Sequence, residues 1–216
     1  MGLFCVYDLD HTLLNINSSF SFGIFLYRKK VLSFLKMLKL LYFYILHKLG
    51  IIQPAKLHIK AGKCFFQGQS IKTISLLVSE FLDLRLNQVL NPIVIEQFKK
   101  ERNAGAYMVI LSNSPGFIVS QIASRLKVND WGATEYLVDS QGNISGVGTF
   151  MDGENKARYL NALMGRFKIE ASRITAYTDS YLDLPMLYKA GNPVAVNPDY
   201  KLRRVCQLNC WKVLEN

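Results

Sequence analysis

The N-terminal stretch constrains the chain most. Leu3-Phe4-Cys5-Val6-Tyr7 is a short run of β-favouring side chains, and it gives way at once to Asp8-Leu9-Asp10-His11-Thr12. Aromatic and β-branched residues in such a run suit a buried strand. At a strand's period of two, Asp8 and Asp10 leave its end on the same side. Two carboxylates so close stay ionised together only when a cation or a proton intervenes. The arrangement points to a metal-assisted site at the carboxyl end of a strand, where open α/β sheets bind ligands. A strand ending in a solvated acidic turn is the bland alternative, and one short motif does not decide between them.

The same grammar recurs downstream. Tyr107-Met108-Val109-Ile110-Leu111 reads as a second buried strand, followed by Ser112-Asn113-Ser114-Pro115-Gly116 and a helix from Phe117. Backbone N–H groups at a helix start, beside a hydroxyl donor, make an anion site; a serine acting only as a cap is the alternative. Ile174–Tyr177 predicts a third strand, with Asp179 and Asp183 just past it at i and i+4. Pro193–Val196 predicts a fourth, and Asn197-Pro198-Asp199 starts a C-terminal helix. Between them, Pro92 opens a helix through Lys100, and Ala104-Gly105-Ala106 turns the chain. Glu135–Val138 and Ile144–Phe150 read as a hairpin, and a helix from Gly153 through Phe167 carries Lys156 in its first turn. Taken alone, Lys156 would be read as a surface charge. Strands alternating with helices predict a doubly wound α/β core on a parallel sheet.

One segment does not fit that alternation. The net charge is +10, and between His11 and Ser79 there is no Asp or Glu at all. That segment holds Arg28, Lys29, Lys30, Lys36, Lys39, Lys48, Lys56, Lys60, Lys63 and Lys72, which account for the whole excess. So sharp a shift predicts a module inserted after the first strand, mostly helical, over residues 15–90. Within it, residues 20–50 read as one helix, with Ser18 or Ser19 as cap, Gly50 as stop, and Lys29, Ser33, Lys36 and His47 along one side. Residues 55–66 and 70–86 read as two more. The apolar run Leu40–Leu46 is far short of the roughly 20 residues that span a bilayer. Long apolar helices beside many lysines suit peripheral contact with an anionic membrane, at its inner face. The bland alternative is that the apolar faces form the module's own core.

Asp8 arrives too early for a secretory signal, and Val6 stands where a myristoylation signal needs Ser or Thr, so the expectation is a cytoplasmic protein. Cys5, Cys64, Cys206 and Cys210 form no paired metal pattern, and reduced thiols are expected. A pI near 9.4 raises nucleic acid as a partner. The aromatic residues of the basic segment lie in apolar helical runs, however, where they belong to a core and not to stacking platforms. No nucleic-acid partner is expected.

With these positions assembled, the chain resembles the haloacid dehalogenase (HAD) superfamily, and within it subfamily IB, the phosphoserine-phosphatase-like branch. Asp8-Leu9-Asp10-His11-Thr12 is similar to the family's first motif, DxDxT. Ser112 ends the second strand as the second motif requires, Lys156 sits where the third motif's lysine belongs, and Asp179 with Asp183 fit the acidic fourth motif. The resemblance covers the two ends of the chain, and the helical insert corresponds in position to the family's cap. It implies a Rossmann-like core over residues 1–14 and 91–216, a cap over 15–90, and a phosphomonoester substrate. It also implies roles. Asp8 is the nucleophile, and Asp10 the acid and base. Ser112, Asn113 and Lys156 hold the phosphoryl group. Asp8, Asp179 and the Asp10 carbonyl bind Mg²⁺. Asp183 positions Lys156 or a metal-bound water, and Thr12 orders the loop.

The departures bear on substrate. Phosphoserine phosphatases carry an acid in the early cap for the substrate's ammonium group, whereas the ninth residue after Asp8 is Asn17, and no acid follows until Glu80. Thr178 and Ser180 also stand where those enzymes carry glycine. The missing cap acid disfavours an amino-acid phosphate, whereas Thr178 and Ser180 leave the metal site intact. A small metabolite phosphate and a lipid phosphate of the phosphatidylglycerophosphate or lysophosphatidate type stay open. So does, from another class, a non-catalytic phosphate-binding protein on the same fold.

Overall fold

The computed structural model describes residues 2–49 and 51–215, without the side chains of Tyr44, His47, Lys48 and Pro54. The expected stop at Gly50 and the placement of the His47 side chain lie outside the described residues. The chain opens with β1 (Phe4–Tyr7), then four helices: α1 (Ser18–Arg28), α2 (Phe34–Lys48), α3 (Pro54–Phe66) and α4 (Ile71–Val89). It continues with α5 (Pro92–Asn103), β2 (Tyr107–Pro115), α6 (Gly116–Leu126), β3 (Asp130–Thr134), β4 (Tyr136–Val138) and β5 (Ile144–Val147). It ends with α7 (Gly153–Phe167), β6 (Ile174–Thr178), α8 (Leu184–Leu187), β7 (Asn192–Val196), α9 (Tyr200–Asn209) and β8 (Lys212–Leu214).

Six strands form one sheet in the order β3-β2-β1-β6-β7-β8, and every neighbouring pair is parallel. A strand buried on both faces alternates between two cores. Cys5, Tyr7, Met108, Ile110 and Tyr177 pack on one face with Phe98 of α5 and Ile118 and Ile122 of α6. Phe4, Val6, Val109, Leu111 and Ala176 pack on the other with Leu160 of α7, Met186 of α8 and Leu202 of α9. This is the doubly wound, Rossmann-like arrangement expected. Because β2 lies on one side of β1 and β6 on the other, the chain reverses its winding beside β1, the crevice where such sheets bind ligands. Tyr7 and Tyr177 fix that pair of strands. Their rings stack at 4.3 Å, and both hydroxyls donate to the Glu101 carboxylate of α5.

The sheet has two strands beyond the four expected. β3 is an edge strand whose sequence, Asp130-Trp131-Gly132-Ala133-Thr134, lacks the apolar run that marks the central ones; pairing with β2 makes it a strand. β8 is three residues long and pairs only with β7.

The helical segment leaves and rejoins the sheet through a narrow neck. Asn15 N–H donates to Val89 O at 2.8 Å, and Asn91 N–H to Leu13 O at 2.9 Å. The single helix expected over 20–50 is two. α1 ends at Arg28, Lys30 takes a left-handed conformation (φ 60°), and Val31 N–H donates back to Leu26 O at 2.9 Å. That is a Schellman-type stop with lysine where glycine is usual, so no residue type announced it. The cap of α1 is Asn17, whose side chain accepts from Phe20 N–H, not Ser18 or Ser19. α4 and α5 each run three residues past their expected ends, to Val89 and Asn103.

Candidate active site

The site gathers at the carboxyl ends of β1, β2 and β6. Past Tyr7 the chain makes one loose turn over Leu9–Leu13, in which Asp10 stays extended and His11 is left-handed (φ 60°). Leu14 N–H closes the turn onto Leu9 O at 2.9 Å. This geometry sends the two acidic side chains of the motif to different partners. Asp8 is buried, and its Oδ1 accepts from Lys156 Nζ at 2.5 Å. Asp10 instead accepts from the Ser18 N–H at 2.6 Å and the Ser114 hydroxyl at 2.5 Å.

Lys156 is 1% exposed, and its ammonium also donates to Asp183 Oδ2 at 2.7 Å. The surface-charge reading of this lysine is therefore excluded. Burial by itself would lower its pKa, but Asp183 and Asp8 outweigh that and hold the ammonium above its ordinary value. Helix α7 delivers the lysine from its first turn, capped by the Asp152 side chain at 2.9 Å from Asn155 N–H. Gly153 lets that turn press on the loop after β6, since a Cβ there would lie 2.0 Å from Leu182 O.

The β6 loop supplies the remaining acids. Thr12 Oγ1 donates to Asp179 Oδ1 at 3.3 Å, so the first motif's hydroxyl holds the fourth motif's carboxylate. Thr178, at a position where glycine is common in the resembled enzymes, donates to Asp183 Oδ2 at 2.7 Å and accepts from Ser180 N–H at 3.2 Å. Burial pushes the Asp179 carboxyl up to about 6, against the His11 charge that favours ionisation. Burial, reinforced by the Asp183 and Asp179 charges, raises Asp8 well above the usual carboxylate range despite Lys156.

Three acids and one ammonium leave a local excess of negative charge, and the chemistry of the donor set fits a hard divalent cation. Among the described residues no three His, Cys, Asp or Glu side chains are gathered for a metal. Mg²⁺ does not need three: one or two carboxylates with waters and substrate oxygens suffice. The Asp10 carboxylate is engaged by Ser18 and Ser114, so that a cation would find the Asp8 and Asp179 side chains rather than this one.

At the end of β2 the pairing with β3 slips between Ser112 and Pro115, a bulge of the kind that re-aims side chains beside a site. Ser112 is buried, with its Oγ accepting from Ser114 N–H at 3.1 Å. Asn113 joins through its backbone, its carbonyl accepting from the Thr134 hydroxyl at 2.7 Å.

Nothing in the sequence ties three further residues to the site. Ser114 is 1% exposed and bonds to Asp10, Ser18 (2.9 Å) and Ser19 (2.7 Å). It stood in view as a hydroxyl between Ser112 and Pro115, but nothing pointed it at Asp10. Thr134, fully buried, pins the bulge by donating to Asn113 O and accepting from Met151 N–H. Asp199 caps α9 with one oxygen and holds Tyr181 N–H with the other at 2.7 Å.

A doubly wound sheet with an acid pair after its first strand, and a buried lysine facing it, defines a hydrolase class. The chain belongs to the haloacid dehalogenase-like hydrolase family, whose model matches residues 5–188. It is 29% identical over 214 residues to a phosphoserine phosphatase of Mycobacterium tuberculosis, covering 96% of this chain and 68% of that one. Its fold is that of a Bordetella pertussis protein of unknown function (TM-score 0.88, 20% identity, 99% of this chain and 98% of that one). A substrate-bound phosphoserine phosphatase shares the fold at TM-score 0.70 and 15% identity, over 94% of this chain and 90% of that one.

Proposed function

We propose that the chain is a Mg²⁺-dependent phosphomonoester phosphatase working through a phosphoryl group carried on Asp8. The observation that carries this reading is the division of the acid pair. Asp8 faces the buried Lys156–Asp183 pair, while Asp10 is held apart by Ser114 and Ser18. A nucleophile and a proton carrier need that separation. The phosphatase names of its relative and fold neighbour support the same class.

In the first step an Asp8 oxygen attacks phosphorus and the P–O bond to the alcohol breaks. Asp10 gives its proton to the leaving oxygen, and the phosphoryl group left on Asp8 splits one hard displacement into two easier ones. In the second, Asp10 takes a proton from water as that water attacks phosphorus. Inorganic phosphate leaves and the Asp8 carboxylate is restored. Lys156, Ser112 and the Asn113 region hold the phosphoryl oxygens, where fixed donors offset charge developing in the transition state. Mg²⁺, held by Asp8, Asp179 and the Asp10 carbonyl, would supply charge neutralisation between carboxylate and phosphate.

Residues 15–90 form the cap and residues 1–14 with 91–216 the catalytic core in this reading. Asn17 is occupied in capping α1, and the basic segment offers no carboxylate to an ammonium group. The substrate is accordingly a phosphomonoester without one. The test is phosphate release from a panel of soluble and lipid phosphomonoesters with and without Mg²⁺, comparing wild type with Asp8→Asn. The expected result is Mg²⁺-dependent release by the wild type alone. Near-normal turnover by Asp8→Asn, purified free of host phosphatases, would overturn the mechanism.

A further inference from the structure

Helix α2 turns an apolar side to solvent. At 100° per residue, Phe34, Leu35, Leu38, Leu41, Tyr42 and Ile45 fall within an arc of about 120°. All six are exposed, from 45% at Leu38 to 75% at Leu35, and no lysine shares the arc. Leu49, just past the helix, is 67% exposed and extends the same line. The opposite side is also apolar, with Met37 and Leu40 packed against the core. The module's own core therefore uses one face of α2 and leaves the other uncovered.

Lysines border the uncovered face. Helix α3 exposes Lys56, Lys60 and Lys63, spaced at i, i+4 and i+7 along one side. Lys60 Nζ lies 5.0 Å from the Phe43 ring centre, and Lys39 Nζ of α2 lies 5.9 Å from the same ring. Ammonium groups of both helices thus meet over Phe43, about 80° beyond the Leu35 edge of the arc, and Lys39 itself lies about 40° beyond that edge. No carboxylate in residues 11–79 offsets them.

A partner for this surface must be apolar at its centre and negative at its edge. A second copy would bring lysine row to lysine row on chains that each carry +10. A bilayer with anionic headgroups supplies both features in one plane. At about 1.5 Å per residue α2 is too short to cross one, and no helix among the described residues is long and apolar enough to do so. We propose that α2 lies in the plane of an anionic bilayer surface, its exposed face in the acyl boundary and Lys39, Lys56, Lys60 and Lys63 on the headgroups.

The test is co-sedimentation of the full chain with vesicles of phosphatidylcholine alone or mixed with phosphatidylglycerol, at low and high salt. Two variants join it: Leu35→Ser/Leu38→Ser/Ile45→Ser, and Lys56→Glu/Lys60→Glu/Lys63→Glu. Since these side chains are exposed, circular dichroism and thermal melting report whether the fold survives. Expected are binding to the mixed vesicles that salt weakens, and a loss of more than about tenfold in each variant. No sedimentation of folded wild type at low salt would overturn the proposal. So would undiminished binding by the serine variant, which would mean adsorption by charge alone. A solution dimer that the serine variant dissociates would overturn it too, assigning the face to a second copy.

Discussion

Lys156→Met tests the electrostatic account of the site most directly. The substitution keeps an unbranched apolar stem and removes one charge at the centre of two buried contacts, at 2.5 Å to Asp8 and 2.7 Å to Asp183. With side-chain exposures of 1%, 8% and 4% for Lys156, Asp8 and Asp183, water cannot replace the ammonium. Removing one partner of a buried pair costs about 3–5 kcal/mol. Proton uptake limits that loss. Burial and the neighbouring acids already hold Asp8 above the usual range, and without Lys156 it rises further. A carboxyl raised in the folded state binds a proton there before it does in the unfolded chain, so stability falls as pH rises through that window. The variant's deficit should therefore be larger at pH 8 than at pH 5. Asp183→Asn in the same background removes one of the two stranded charges and should recover about 2 kcal/mol, a coupling that a double-mutant cycle reads directly. Urea unfolding of the four proteins at both pH values is the assay. Phosphate release by Lys156→Met should fall about 100- to 1,000-fold. A deficit that is independent of pH, or strictly additive with Asp183→Asn, would refute the reasoning.

Two further outcomes are expected. Ser114→Ala removes a charge-assisted bond to Asp10 and a partner of the buried Ser18 hydroxyl. It should cost about 1.5–3 kcal/mol in urea unfolding and lower kcat more than KM; unchanged kcat would show that Asp10 does not need it. Burial beside Phe150 lowers the His58 pKa to about 4, so the folded state resists a proton that the unfolded chain accepts below about 6.5. Stability from this group is complete above that pH and is lost as pH falls toward 4, by about 3 kcal/mol. His58→Phe should remove that part of the acid sensitivity, and matching melting profiles for variant and wild type over pH 4–7 would contradict it.

The parts legible in the sequence were those in which one residue type has one local cause. β1, β2, β6 and β7 announce themselves because a strand buried on both faces needs an unbroken apolar run, and the site acids follow at their ends. β3 escapes because pairing with β2, not its own composition, makes it a strand. The break at Lys30 escapes because a lysine there adopts a conformation that glycine usually supplies. Only its motif places Lys156 at the site; by itself it is one lysine among 26 basic residues. The partners of Asp10 were out of reach altogether, because Ser114 lies 104 positions away and reaches it only through the bulge at the end of β2.

That last contact bears on how the helical segment and the chemistry are joined. A cap that merely selected substrates could touch the core through its neck alone. Here Ser18 N–H, in the first turn of α1, donates to the Asp10 carboxylate, while the Ser18 and Ser19 hydroxyls share Ser114 with it. Helix N–H groups at that position have no intrahelical partner, and an acid placed there is favoured by the helix dipole. Any movement of α1 about the neck at Asn15 and Asn91 must therefore break or remake a bond to the Asp10 carboxylate. The helical segment, which contributes no acid of its own before Glu80, thus holds one of the site's carboxylates in place.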